Sequence, residues 1–128
     1  MKKFLVILSF LALSGCSMMS INYDPIEYDR VVSITLIAED LAQSCGDRNK
    51  LAYQLNNMSI NLRYLEKYSK HHTNNSELYS IVTKLQDSVT KFKAEINKKE
   101  VNLDYCKLQG EFLTASTERT LEAVAKRR

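Results

Sequence analysis

Between residue 24 and residue 128 the chain contains one proline, Pro25, and two glycines, Gly46 and Gly110. Proline and glycine are the residues that interrupt helices at greatest cost. A stretch this long with so few of them is predicted to be helical nearly throughout. The apolar residues agree. Val31, Ile34, Ala38, Leu41 and Cys45 recur at alternating steps of three and four, with Ile26 and Ile37 widening that stripe and Val32 and Leu36 on the other side. Leu51, Leu55, Met58, Leu62 and Leu65 form a second seam, and Leu78, Val82, Leu85, Val89, Phe92 and Ile96 a third. Leu103, Cys106, Leu113, Leu121 and Val124 form a fourth. Such periodicity marks one buried face per helix.

Local signals set the boundaries. Asp24 can cap a helix that opens with Pro25, and Glu27 occupies the capping-box position. This first helix is expected to run to about Cys45. Gly46 suits the position just past its end, and Asp47 can cap the second helix. Lys67, Lys70, His71 and His72 gather where the dipole of the second helix favours positive charge. His72–Asn75 reads as a loop, with Asn75 or Ser76 capping the third helix. Lys99 falls on the third seam and suggests an end. Asn102 is a cap, with Asp104 in the first turn of the fourth helix, and Lys126, Arg127 and Arg128 follow its end.

Four similar helices with short links predict an all-α, up-down-up-down four-helix bundle over residues 24–128. The alternative is a long antiparallel helical hairpin in which Gly46 and Asn102 lie inside continuous helices. The bundle is preferred because the second and fourth helices carry extra apolar faces: Tyr53, Ile60, Tyr64 and Tyr68 on one, and Tyr105, Leu108 and Phe112 on the other. A lone hairpin would leave these exposed.

The N-terminus has a different character. Met1-Lys2-Lys3 precedes the apolar run Phe4–Leu13, which carries no acidic residue and ends in Leu13-Ser14-Gly15-Cys16. The run is too short for a membrane-spanning helix, which needs roughly twenty residues, and is read as a signal segment over residues 1–15. Leu-Ser-Gly-Cys resembles the lipobox of bacterial lipoproteins. That resemblance implies a lipidated Cys16 carrying several acyl chains such as palmitate. Covalent lipid on Cys16 is the only attached group expected, with no metal and no cofactor. Ser17, where the family's inner-membrane retention signal has Asp, implies the outer membrane, with the domain in the periplasm or, less often, facing outward. Residues 16–23 then form a short tether.

Loss of Lys2 and Lys3 with the signal removes two units from the net charge of +3. The remainder gives nucleic-acid binding no support, since that needs a dense basic face. In an oxidising compartment Cys45 and Cys106 are expected to form a disulfide. The bundle places the end of its first helix beside the start of its fourth, which are the positions of these two cysteines. It also brings the tether, the His71–Asn75 loop and Lys126, Arg127 and Arg128 to one end. Those three basic residues either meet lipid headgroups or simply complement a helix terminus.

Candidate chemistry is sparse. His71 and His72 point about 100° apart on a helix, so they make a poor metal pair, and a solvated loop is the favoured reading. Glu39, Asp40, Glu95 and Glu100 have the pattern of solvated helix faces. No nucleophile elbow, P-loop or zinc spacing occurs, so an enzyme is not expected. Tyr53, Tyr64, Tyr68 and Tyr105 either form a partner-binding aromatic surface or line the bundle rim with rings buried and hydroxyls wet.

The cap at Asn102 with Tyr105-Cys106-Lys107-Leu108 resembles an element of small lipoproteins, many of them in phage and prophage genomes. Those also have a lipobox, a Cys ending the first helix and a basic C-terminus. A more distant likeness, in architecture alone, is to the type II secretion pilotins. The phage-type likeness carries no known activity, and no pilotin binding residue maps onto this chain. The leading expectation is a non-catalytic, membrane-anchored protein that binds or occludes another envelope protein, and the alternative is a pilotin-like chaperone that escorts a secretin subunit. A purely structural envelope role is the remaining possibility. A pilotin would need a continuous apolar cleft between helices.

Overall fold

The computed structural model describes residues 23–98 and 102–126. The signal segment, Cys16, most of the tether, Lys99, Glu100, Arg127 and Arg128 lie outside the described residues. Four helices follow one another, α1 (Pro25–Gln43), α2 (Arg48–His71), α3 (Ser76–Ile96) and α4 (Leu103–Ala125). No strand occurs among the described residues. None of these helices is long and apolar enough to cross a membrane.

Each helix starts on a side-chain cap. Asp24 accepts from the backbone N–H of Ile26 and Glu27, Asp47 from Lys50, Asn75 from Leu78, and Asn102 from Asp104 and Tyr105. These caps satisfy N–H groups that have no partner inside the helix. Asp47 and Asn102 therefore separate α1 from α2 and α3 from α4, and the long hairpin is excluded.

The helices are arranged cyclically. α1 packs against α4 and α2, α3 packs against α2 and more sparsely against α4, and the pairs α1/α3 and α2/α4 lie diagonally across the bundle. Every residue of the first three expected seams is buried. The fourth seam differs. Leu103, the first residue of α4, is exposed, and the inner face runs through Cys106, Gly110, Leu113, Thr117, Thr120 and Val124. The two threonines are tolerated because their hydroxyls donate to the carbonyls of Leu113 and Ser116, each at 2.8 Å, so no buried donor is left unmade.

Cys45 and Cys106 are joined in a disulfide with Cα atoms 5.8 Å apart. One turn along, α1 and α4 approach so closely that Gly110 lies against the backbone of Ala42. The disulfide and this contact together hold the two chain-terminal helices side by side.

Three local expectations are corrected. α1 ends at Gln43, with Ser44 at its C-cap and Cys45 beyond it. Gly46 does not have a positive φ and has open space around it, so the turn does not require glycine there. The left-handed residue is instead Asn74 (φ 53°), in the α2–α3 loop, a conformation that asparagine accepts more readily than most residues. Finally, the extra apolar faces are mostly not what the bundle buries: Tyr53, Ile60, Tyr64, Leu108 and Phe112 remain exposed, whereas Tyr68 is half-buried and Tyr105 packs against the core. The fold is the expected one, but that argument for it fails.

Candidate functional site

The most connected polar site lies at the end of the bundle where α1 begins and α2 meets α3. Glu27 is expected at the capping-box position, but its side chain does not turn back to the cap. It is buried to 2% exposure, and its two oxygens accept from Thr73 Oγ1 and from Asn75 Nδ2, the latter at 3.1 Å. Asn75 is itself buried and links three elements. Its amide donates to Glu27, its Oδ1 accepts from Leu78 N–H at the start of α3, and its own N–H donates to the Ser69 carbonyl in α2. A carboxylate can be buried here because both oxygens are hydrogen-bonded.

Beside it, Tyr68 donates its hydroxyl to Asp24 Oδ2 at 3.2 Å. Partial burial raises the Tyr68 phenol above its ordinary value, and the charges and hydrogen bond of Asp24 act in the same direction, with Glu27 adding to them. Tyr68 also belongs to a ladder along the α1 side of α2. The Arg30 guanidinium lies 4.1 Å over the Tyr64 ring, Tyr64 stacks on Tyr68 at 6.0 Å, and Tyr68 meets the His72 ring at 4.8 Å. Arg30 Nη1 donates to Asn61 Oδ1 at 3.0 Å, which fixes the register of α1 against α2. The network ties the start of α1 to the end of α2 and the start of α3.

The four tyrosines do not form one surface. Tyr53 is 68% exposed and Tyr64 45% exposed, on one outer face of α2 with Ile60 between them. Tyr68 is half-buried in the ladder. Tyr105 is on α4, diagonally across the bundle, where its ring packs 6.0 Å from that of Phe92. The face that does exist is Tyr53–Ile60–Tyr64. Ile60 belongs to it because it stands seven residues after Tyr53 and four before Tyr64, a spacing legible in the sequence. On α4, Leu108 and Phe112 make a second exposed pair, one turn apart.

His71 and His72 are exposed. Among the described residues, no group of three His, Cys, Asp or Glu side chains could hold a metal ion. Lys126 is exposed at the C-cap of α4, at the same end of the bundle as Asp24.

A groove opens between α1 and α4, with a volume of about 360 Å³. Glu39, Ala42, Gln43, Glu111, Thr114, Ala115 and Glu118 line it. It follows from the close approach at Gly110, since helices held together by small residues leave a shallow furrow outside the contact. No protein-family model, no curated protein and no solved structure matches the chain.

Proposed function

We propose that the chain is a non-catalytic lipoprotein of the bacterial outer membrane, anchored through Cys16, whose helical domain binds or occludes another envelope protein. One observation carries the binding role: large apolar side chains stand on the outside of a bundle whose interior is already filled. Tyr53, Ile60 and Tyr64 on α2, and Leu108 and Phe112 on α4, add nothing to the core. Exposed aromatic and aliphatic side chains gathered on a helix face are the usual anchors of a protein interface.

The anchor limits where such binding occurs. Residues 17–23 extend at most about 25 Å, so the domain works close to the bilayer. The end bearing Asp24, the α2–α3 loop and Lys126 is the near end. There Lys126, with Arg127 and Arg128, adds on the order of 1 kcal/mol of attraction per basic residue to an anionic leaflet. The likeness to phage-type lipoproteins fits a protein that blocks an envelope component on behalf of a mobile element.

Photo-crosslinking from position 112 in intact envelopes, followed by mass spectrometry, tests the binding role. A single envelope protein is the expected product, and recovery of lipid alone leaves only a structural role. Fatty-acid labelling tests the anchor. Cys16→Ser is expected to abolish the label, and an unlabelled native chain of unprocessed mass overturns the location.

A further inference from the structure

Charge is segregated by helix. α2 carries five basic side chains against one acidic, Glu66, and so has a net charge of +4. α1 has four acidic against one basic (−3), α4 has four against two (−2), and α3 has three of each. Within α2 the asymmetry sharpens, because Glu66 lies toward α3, where Gln86 Nε2 donates to it at 3.4 Å. The outward side of α2 therefore holds no acidic residue. Along it Tyr53, Ile60, Tyr64, Lys67 and His71 recur at steps of seven, four, three and four, all exposed, with exposed Arg63 beside them. Such steps place residues on one stripe of a helix. Neither Arg63 nor Lys67 has an acidic partner, since the one ion pair among the described residues joins Lys98 to Glu95. The Arg30 guanidinium over the Tyr64 ring adds a further cation at the edge of the stripe.

We propose that this stripe is a membrane-contacting face, on which α2 lies flat against an anionic bilayer surface. Tyr53, Ile60 and Tyr64 enter the headgroup layer, where an apolar ring with a wet hydroxyl is favoured. Arg63 and Lys67 reach lipid phosphates while their stems cover the apolar part of the stripe. Two observations select a lipid surface over a protein groove. The first is the charge of the whole domain. When α2 faces a negative surface, acidic α4, diagonally across the bundle, points away from it, so attraction and repulsion orient the domain in the same sense. The second is length. From Tyr53 to His71 the stripe runs roughly 27 Å at 1.5 Å per residue, and a flat surface parallel to the helix meets all of it. The chain connection agrees. Tyr68 donates to Asp24, so the tether leaves the domain beside the His71 end of the stripe. That a bilayer lies within reach of the tether rests on the anchor proposed above, whereas the charge and composition of the face do not. Leu108 and Phe112 on α4 then point away from the bilayer, toward the envelope partner.

The test uses the full chain in its host envelope, with a benzophenone-bearing amino acid replacing Ile60. The expected product is a phospholipid adduct at position 60, with none from position 112. Arg63→Glu with Lys67→Glu is expected to lower its yield at least roughly tenfold, since each basic residue near an anionic surface changes binding by about fivefold. Lys84→Glu with Lys91→Glu makes the same change in net charge on the side of α3 turned from Gln86, and leaves the yield unchanged. All four positions are exposed, and unchanged thermal melting of each variant shows that the fold is intact. A protein adduct from position 60, no adduct, equal lipid adducts from positions 60 and 112, or an equal response to the two charge reversals each overturns the membrane face. Flotation of the full Cys16→Ser chain with phosphatidylglycerol or phosphatidylcholine vesicles separates the face from the anchor. Binding to the phosphatidylglycerol vesicles is expected to fall at least roughly tenfold on adding Arg63→Glu and Lys67→Glu in that background, and binding to the phosphatidylcholine vesicles to stay the same. That fall in a protein whose native Cys16 carries no fatty acid upholds the face and overturns the location. Equal binding of the two chains in a protein whose Cys16 is acylated overturns the face alone.

Discussion

A Cβ atom placed on Gly110 lies 2.8 Å from the Cα of Ala42 and 3.0 Å from its Cβ and N. Two of these three atoms are backbone, so the neighbouring helix cannot yield by turning a side chain. Gly110→Ala is therefore expected to destabilise the fold by about 1–3 kcal/mol, although alanine is the better helix former. Urea denaturation measures it. Adding Ala42→Gly does not restore stability, because the clashing Cα remains. A Gly110→Ala chain as stable as the parent contradicts the close α1–α4 approach.

Removing the buried carboxylate leaves one donor stranded. Glu27→Ala deprives the buried Asn75 amide of its acceptor, while the Thr73 hydroxyl keeps the Ser69 carbonyl at 3.3 Å, and a buried group left unmatched costs about 1–3 kcal/mol. Glu27→Gln keeps one acceptor oxygen, and the Thr73 hydroxyl can rotate to accept from the new amide, so its cost is expected to be smaller. Denaturation of the two variants gives the ranking. Hydrogen exchange then locates the loss, with faster exchange at Asn75 and Leu78, whose N–H groups are held by the Ser69 carbonyl and the Asn75 side chain.

The caps and seams that build the bundle were legible because they are local. Asp24, Asp47, Asn75 and Asn102 act within three residues, and periodic leucines report which face is buried. What the sequence concealed depends on neighbours. Glu27 sits where a capping-box acid sits, and only the arrival of Thr73 and Asn75 from 46 and 48 residues away redirects it. Gly110 continues the spacing of the fourth seam, yet a glycine carries no apolar signal to mark it as buried. Tyr105 and Tyr64 look alike in sequence, but one meets Phe92 and the other stays exposed on α2. Expecting the second apolar faces to be buried failed because four seams already fill a four-helix core. The α1–α4 groove is not legible locally: Glu39 alone has the pattern of a solvated position, and only the α1–α4 contact brings it to one furrow with Glu118.

The Cys45–Cys106 bridge closes a loop with a sequence separation of 61. For a loop of that size the chain-entropy model gives a stabilisation of roughly 4 kcal/mol. Cys45→Ser with Cys106→Ser, or reduction of the parent, is expected to lower the urea midpoint accordingly. Reduction of the double variant should have no further effect. A parent whose midpoint does not respond to reductant indicates that the bridge adds nothing to stability.

Alkaline pH should loosen the start of α1. Tyr68 has its phenol raised above the ordinary 10.0 by partial burial and by Asp24, to which it donates. The folded state therefore holds this proton more tightly than the unfolded state. The stabilisation is fully present below the unfolded value of about 10 and is lost as pH rises through the higher folded value. Thermal melting between pH 8 and pH 11, compared for the parent and Tyr68→Phe, isolates this effect from the other tyrosines and the lysines. The phenylalanine variant is expected to be less stable at pH 8, where the bond to Asp24 is missing, and to lose less stability on going to pH 11. Parallel curves for the two proteins contradict a specific bond between Tyr68 and Asp24.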